Sequence, residues 1–372
     1  MLAYIVRRLF LIVPTLFGIM LVNFIVIQIT PGGPIERILA DIQGRGVDAT
    51  VRVSGTDTGE VADVPPGVGT GQDVSSVESK YRGAQGLDPE FIEQLEKQFG
   101  FDKPMHVRFF KMVGNYLTFD FGRSYFRDQS VIELILEKMP VSISLGVWTT
   151  IVIYAISIPL GVAKAVRDGS KFDVWTSGVV IVGNAIPGFL FAILLIVVFA
   201  GGRYLDWFPL RGLVSDDWDD LSWPMKIVDY FWHLTLPLTA LVVGSFAWLT
   251  MLTKNSFLDQ INQQYVITAR SKGLAENAVL YGHVFRNAML IVIAGFPGAF
   301  VGMFFAGSLL IEVIFSLDGL GLLGFEAAID RDYGVMFATL YMFSLLGLVM
   351  QLVGDITYML IDPRIDFESR GA

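Results

Sequence analysis

The sequence predicts an all-α, polytopic membrane protein with six transmembrane helices. Hydrophobic residues make up 53% of the 372 positions, and the mean hydropathy is +0.57. A soluble protein of this length does not need so much apolar surface. Crossing a hydrocarbon layer of about 30 Å takes roughly 20 helical residues, and apolar runs of that length recur along the chain. The predicted spans cover residues 5–29, 142–165, 173–199, 233–257, 287–315 and 336–361.

The first predicted span includes the basic pair Arg7 and Arg8 and ends at a turn sequence, Thr30-Pro31-Gly32-Gly33-Pro34. A secretory signal would have an apolar region of about 7–15 residues followed by a small-residue cleavage site. The apolar run here is long enough to span a membrane. We therefore expect residues 1–29 to form a retained N-terminal transmembrane helix.

Residues 30–141 form a long predicted outer (periplasmic) loop region. Its segment 41–86 is rich in Gly, Asp, Val, Ser and Thr, a composition typical of irregular, mobile chain. The Gly-rich piece within this insertion lacks the Lys-Ser or Lys-Thr of a phosphate-binding loop, and no G-x-x-x-x-G-K-[ST] motif occurs in the sequence. If transport is driven by ATP, the ATPase must therefore be another chain or domain.

The distribution of basic residues predicts that both termini lie in the cytoplasm. With this orientation, the inner segments include a loop at 254–286 and a tail at 362–372, and residues 142–361 make up a five-helix core. The inner segments then hold eleven Lys and Arg residues, whereas the two short outer loops hold four. This asymmetry follows the positive-inside rule. The eleven are Arg7, Arg8, Lys164, Arg167, Lys171, Lys254, Arg270, Lys272, Arg286, Arg364 and Arg370, and the four are Arg203, Arg211, Lys226 and Arg331.

The sequence contains no recognisable catalytic or metal site. The absence of cysteine excludes disulfides and thiolate ligands. The three histidines, His106, His233 and His283, lie far apart without ligand spacing. No nucleophile with its base and no metal constellation is recognisable in the spans. We therefore expect no enzyme activity, no bound metal or cofactor and no nucleic-acid partner for this chain.

The loop between the fourth and fifth predicted spans carries the strongest mechanistic signal. Residues 254–274 predict a short helix outside the membrane. Tyr265, Ala269 and Gly273 fall at i, i+4 and i+8, so one helical face would carry two small residues and leave room for another surface. The alternative is a connector that lies on lipid headgroups through Arg270 and Lys272.

Residues 265–273 resemble the coupling loop of permeases from ATP-binding-cassette (ABC) importers of peptides. The general pattern of that loop is Glu-Ala-Ala, three residues and Gly. Ala269 and Gly273 match its second Ala and its Gly, whereas Ile267 and Thr268 stand at the first two positions. Peptide-importer permeases commonly have Tyr-Val-x-Thr-Ala-Arg-x-Lys-Gly here. The resemblance extends over nearly the whole chain, through residues 4–9, 31–34, 100–104, 120–124, 312–315, 319–321, 331–333 and 362–366.

Within this family, the Gly-rich insertion and residues 184–187, 208–214 and 365–368 are most similar to the Yej-type permeases, the route exploited by microcin C. The resemblance implies a type I ABC importer permease architecture in the bacterial inner membrane. It also implies a second homologous permease, ATP-binding subunits that hold ATP-Mg, a periplasmic substrate-binding protein and membrane lipid as partners.

The function implied by the resemblance is import of short peptides or peptide conjugates such as microcin C. Energy would come from a separate ATPase, coupled through the loop at 262–274, and the coupling residues would be Tyr265, Ala269, Arg270 and Gly273. The alternative is a secondary, ion-coupled peptide carrier. Its signs would be internal repeats and broken midplane helices, and the sequence shows no convincing repeat.

The fifth predicted span carries a small-residue surface made of Gly295, Gly298, Gly302 and Ala306, followed by Gly307. Such a surface suits close contact between helices. A permease-to-permease interface, a wall of the transport pathway and ordinary packing within the subunit all remain open.

Two carboxylates lie in apolar runs, where charges are costly and usually paired. Glu312 is a candidate for an outer gate or for a structural pair. Asp355 is a candidate for a proton pathway or for a pair with an inner-face Lys or Arg. Pro187 and Pro297 are expected to kink the third and fifth spans.

Overall fold

The structure is a computed structural model that describes residues 2–29, 35–36, 38, 93, 96, 101–127, 129–202, 204–305 and 308–361. Within these ranges the chain is almost entirely helical, and the β-structure is one isolated bridge between Arg123 and Ser130. The predicted insertion at 41–86, the turn at 30–34, the pair Ala306 and Gly307 and the tail at 362–372 lie outside the described residues.

The described helices vary widely in length, and two short non-α segments accompany them. A 3₁₀ turn covers Trp218–Asp220, and a π-helical segment, Leu280–Val284, joins two α-helices. The α-helices are α1 (Leu2–Ile29), α2 (Met105–Leu117), α3 (Val131–Val166), α4 (Lys171–Ala185), α5 (Gly188–Phe199), α6 (Trp223–Ile261), α7 (Gln264–Ser271), α8 (Glu276–Val279), α9 (Phe285–Phe305), α10 (Ser308–Ile314), α11 (Leu320–Asp330) and α12 (Tyr333–Ile361).

Five helical segments of the described chain are long and apolar enough to cross a membrane, and a sixth span results if α4 and α5 count together. This confirms the predicted all-α membrane fold. The five segments are Tyr4–Ile29, Val131–Val166, Trp223–Ile261, Glu276–Ala299 and Tyr333–Thr357.

The expected kink at Pro187 is a complete break. Helix α4 ends at Ala185, and α5 begins at Gly188 after a bend of 91°. Pro187 has no N–H to continue the helical ladder, and its ring disfavours the helical conformation of the residue before it. Ile186 accordingly has an extended backbone, with ψ at 120°. By contrast, Pro297 lies inside α9 without ending that helix.

Two long helices begin earlier than hydropathy predicts. Helix α3 begins at Val131 and α6 at Trp223, rather than at 142 and 233. A reciprocal capping box starts α3: the Ser130 N–H donates to Glu133 Oε2 at 3.2 Å, and the Glu133 N–H donates to Ser130 Oγ at 3.3 Å. Residues 131–141, predicted as part of the outer loop, are therefore helical.

The chain divides into two compact units. The main unit comprises the described parts of 1–13, 137–322 and 343–372, and the smaller unit those of 14–136 and 323–342. In the main unit, α6 packs against α4, α5 and α9. Two apolar clusters support this packing, one around Phe257, Val279 and Ala288 and the other around Leu234 and Phe315.

Asp332 organises the smaller unit. Its nearly buried carboxylate accepts hydrogen bonds from Ser124 Oγ at 2.5 Å and from the Tyr125 N–H at 3.1 Å. It also accepts from the Val335 N–H at 3.3 Å and so caps the first turn of α12. Burial, together with the Asp332 carboxylate, raises the pKa of Tyr125 to about 12, so this phenol ionises only in strongly alkaline solution. Two motifs that carry the family resemblance, 120–124 and 331–333, thus meet at one buried carboxylate.

Candidate functional site

The predicted coupling helix exists as α7 and is held firmly by the core of the main unit. Val266 and Ala269 are buried in the apolar cluster that contains Phe257 and Val279. Tyr265 packs against the same cluster, and its hydroxyl donates to Gln260 Oε1 at 2.9 Å. The helix is therefore attached to the end of α6 and to the beginning of the following span.

The face predicted from Tyr265, Ala269 and Gly273 is only partly open: Tyr265 is half-buried, Ala269 is buried and Gly273 is exposed. Ala269 is only 6% exposed, so its small side chain lets α7 approach the chain's own core. The exposed apolar side chains of this segment are Ile267, within α7, and Leu274, just after its end, which are 48% and 41% exposed. Periodicity identifies two faces of a helix, but it does not say which face turns inward.

Gly273 ends α7 in a left-handed conformation. Its φ is +80°, its N–H donates to Arg270 O at 2.9 Å, and the Leu274 N–H donates to Ala269 O at 3.4 Å. This hydrogen-bond pattern is a Schellman cap, whose left-handed residue is usually glycine because no Cβ clashes there. A Cβ at this position would meet nothing within 4 Å in the described chain. Helix termination therefore explains this glycine within the subunit.

Arg270 is an exposed residue of α7, one turn after Ile267. Its guanidinium contacts Glu276 at 3.1 Å, and both side chains are largely exposed. Exposed pairs of this kind contribute about 0–1 kcal/mol because water and salt screen them. The guanidinium is thus available for a partner surface at little cost. We refer to Ile267, Arg270 and Leu274 together as the exposed patch of α7.

A buried ion cluster joins the ends of α3, α4 and α6, and sequence reasoning missed it. The Lys164 ammonium is fully buried and lies 3.0 Å from Asp173 Oδ1. It also donates to Asp173 O at 3.0 Å and to Ser177 Oγ at 2.6 Å. Lys254 lies 2.7 Å from Asp173 Oδ2. From the sequence alone, Lys164 and Lys254 only indicate which side of the membrane their segments face. The clue in the sequence was the carboxylate of Asp173, just inside a predicted span.

Glu312 is fully buried, and its partners come from α3 and from the beginning of α11. Its Oε2 accepts from the Leu322 N–H at 2.7 Å, and Ser142 Oγ lies 3.4 Å from its Oε1. Ser142 Oγ in turn accepts from the Leu320 N–H at 2.8 Å. A carboxylate at this place also interacts favourably with the helix dipole. The Glu312 carboxylate thus accepts hydrogen bonds from one backbone N–H and one hydroxyl, and its role as an outer gate stays a prediction.

Asp355 is paired with groups of the first helix. Its Oδ2 accepts from the Tyr4 hydroxyl at 2.9 Å and lies 3.2 Å from the Arg8 guanidinium. Arg8 Nε also donates to the Tyr4 hydroxyl at 2.9 Å. The structure therefore brings Asp355 and a basic residue of the predicted inner face together.

The small-residue surface of α9 does not pack closely within the subunit at the two positions whose surroundings are described. A Cβ added at Gly295 or at Gly298 would meet nothing within 4 Å. The close contact between α9 and α12 is elsewhere: a Cβ at Gly354 would come within 3.2 Å of Pro297 Cγ. Gly302 lies in α9, and Ala306 falls outside the described residues. Packing against the described part of the chain does not explain Gly295 and Gly298.

Comparison with known proteins places this chain among transport permeases. Residues 157–367 match the family described as binding-protein-dependent transport system inner membrane component. The chain is 63% identical to the peptidoglycan transport system permease protein YejB of Agrobacterium fabrum, with 99% of each chain covered. It is 57% identical to the inner membrane ABC transporter permease protein YejB of Escherichia coli O157:H7, over 99% of this chain and 100% of that protein. It is 33% identical to the oligopeptide transport system permease protein AppB of Bacillus subtilis, again over 99% and 100%.

Proposed function

The chain belongs to the family of inner membrane components of binding-protein-dependent transport systems, and from this premise we propose that it imports short peptides or peptide conjugates, microcin C included, at the expense of ATP. Its relatives are named as permease subunits, which confirms the expectation that this chain is a permease and not an enzyme. The observation that carries the proposal is the exposed patch of α7 on a helix fixed to the core.

The proposed partner of this patch is a separate ATPase subunit that binds ATP-Mg. Apolar Ile267 and Leu274 would be buried against it, and Arg270 would supply a charge at the edge of the contact. Movement of the ATPase on nucleotide binding would then pass from α7 to α6 and α9 through the apolar cluster that the three helices share. This arrangement couples the nucleotide state to the opening of the permease. The proposal includes a second homologous permease and a periplasmic substrate-binding protein.

We propose that both termini and α7 lie on the cytoplasmic side. The positive-inside count supports this orientation. In this orientation the Lys164–Asp173–Lys254 cluster also lies at the cytoplasmic ends of its helices, close to the headgroup region, where buried charges cost less than at the bilayer centre.

Reconstitution of the full complex tests the proposed function. We expect proteoliposomes that contain both permeases, the ATPase subunits and the binding protein to accumulate a labelled short peptide only when ATP is supplied. Ionophores that collapse ion gradients should leave this uptake unchanged. Uptake that depends on an ion gradient and does not require ATP would instead show that the protein is a secondary, ion-coupled peptide carrier.

A second candidate substrate is suggested by the relative named for peptidoglycan transport. Peptides released from the cell wall share a peptide portion with ordinary short peptides, so the same pathway can take both. Competition in the reconstituted system separates the candidates: unlabelled short peptide, cell-wall muropeptide and microcin C are each titrated against the labelled peptide. The substrate that competes at the lowest concentration is the preferred one. Failure of microcin C to compete would remove it from the proposal.

Substitutions at Gly273 should distinguish its conformational role from close approach by a partner. We expect Gly273→Ala to lower ATP-driven uptake several-fold, because a left-handed conformation costs an L-residue roughly 1–2 kcal/mol. Gly273→Asn should retain most of the uptake, since asparagine visits this conformation more readily. The measurement is the initial uptake rate per assembled complex. Equal, severe losses in both variants would show that a partner approaches the missing side chain.

A further inference from the structure

A cavity of about 560 Å³ lies between α9 and α12 in the main unit. Ligand pockets commonly have volumes of about 300–1,000 Å³, so a short peptide segment fits. The wall on the α9 side includes Ile291, Ala294, Pro297 and Gly298. The wall on the α12 side consists of Gly347, Gln351, Gly354 and Asp355.

The α12 wall carries two polar side chains and two glycines. Residues 347, 351, 354 and 355 lie at i, i+4, i+7 and i+8, so they form one stripe of the helix. Glycine at 347 and at 298 leaves room for a main chain to approach both walls. The polar groups on this stripe are the Gln351 amide and the Asp355 carboxylate. A wall of this kind suits a ligand with a peptide backbone and a positive charge.

The Asp355 carboxylate is well placed to exchange its cation. Among the described residues, both of its contacts, Tyr4 and Arg8, go to Oδ2. Its side chain is 23% exposed, and that of Arg8 is 39% exposed, so the guanidinium can leave without opening the core. An ionised carboxylate in a membrane-spanning segment is usually paired with a cation. A ligand ammonium can supply that counter-ion in place of Arg8.

We propose that this cavity is a transport subsite for the α-ammonium end of the peptide, a proposal that rests on the proposed function. Asp355 binds the ammonium group and releases Arg8, and the Gln351 amide hydrogen-bonds the adjacent peptide group. The glycine-lined walls leave room for the main chain of the peptide and for peptide side chains of different sizes. This fits an importer of peptides of varied sequence.

The test compares a short peptide with its N-acetylated form in the reconstituted full complex, each at a concentration that saturates the binding protein. The quantity measured is the ratio of the two initial uptake rates. We expect Asp355→Asn to lower this ratio about tenfold, because it removes a charge-assisted hydrogen bond to the ammonium. Arg8→Gln should raise the ratio, because it removes the competing cation. Asp206→Asn, which removes an exposed carboxylate in the loop after α5, should leave the ratio unchanged.

The opposite pattern would overturn the proposal. If Asp355 only holds α1 and α12 together, Asp355→Asn and Arg8→Gln will lower the uptake of both peptides alike and leave the ratio at the wild-type value. If the Asp355→Asn complex does not assemble, the uptake ratio of Arg8→Gln alone still distinguishes the two explanations. A wild-type complex that takes up both peptides equally would also refute the subsite, as expected if lipid or the second permease fills the cavity. Absence of any ATP-driven peptide uptake by the wild-type complex would instead refute the proposed function.

Discussion

Glu312→Ala is expected to cost about 2–4 kcal/mol of stability, since it removes a fully buried carboxylate that accepts from the half-buried Leu322 N–H and from the Ser142 hydroxyl. The N-terminus of α11 also loses the negative charge that interacts favourably with its helix dipole. The measurement is the thermal unfolding midpoint of the purified complex, together with the fraction that elutes as a single assembled species. We expect both to fall clearly below the wild-type values.

Two further variants show whether the hydrogen bonds are the cause. Glu312→Gln keeps an oxygen that can accept from the Leu322 N–H, so we expect a smaller loss than with alanine. Gly319→Ala leaves Glu312 in place but adds a Cβ at 2.6 Å from its carboxyl carbon, so one of the two must move. We expect a loss close to that of Glu312→Ala. Wild-type stability of Glu312→Ala would show that the Glu312 contacts contribute nothing.

Ile267→Asp is expected to reduce ATP-driven uptake at least tenfold and to leave the protein in the membrane in normal amount. The side chain lies on the exposed patch of α7, so an aspartate there does not disturb the core. A buried contact with the ATPase would, however, have to desolvate the new charge, which is strongly unfavourable. The measurements are the uptake rate and the amount of ATPase subunit that copurifies with the permease.

A matched variant separates this effect from a general one. Leu210→Asp places the same charge at a site of similar exposure, 39%, in the loop after α5. We expect its uptake and its copurified ATPase to equal those of the wild type. Normal uptake by Ile267→Asp would contradict coupling through the exposed side of α7.

The sequence predicts the centres of the helices better than their ends. Hydropathy averages over each stretch, so it misses the first turns of α3 and α6, in which charged residues such as Glu137, Lys138 and Asp229 interrupt the apolar ones. Their start depends on local hydrogen bonds such as those between Ser130 and Glu133. The sequence predicts where the chain bends at Pro187 but not how strongly. The chemistry of proline predicts a lost hydrogen bond, whereas the angle of 91° depends on packing.

The candidate site was predictable as a segment but not as a surface. The pattern from Tyr265 to Gly273 predicts a helix, and α7 is that helix. Which side turns outward depends on α6 and on the following span, which the pattern does not contain. The sequence also does not predict which residues contact the two carboxylates that lie in apolar runs. Glu312 binds residues on α3 and at the start of α11, and Asp355 binds Arg8 near the other end of the chain.

Helix α6 has a mechanical consequence that follows from its length alone. Its 39 residues extend over about 58 Å, nearly twice the hydrocarbon thickness of about 30 Å. A rod of this length that pivots near its middle by about 10° displaces each end by about 5 Å, roughly one helical turn. Helix α7 begins only three residues after α6 ends. Because the pivot lies near the middle, a displacement of several ångströms at the α7 end is accompanied by an equal and opposite displacement at the other end of α6.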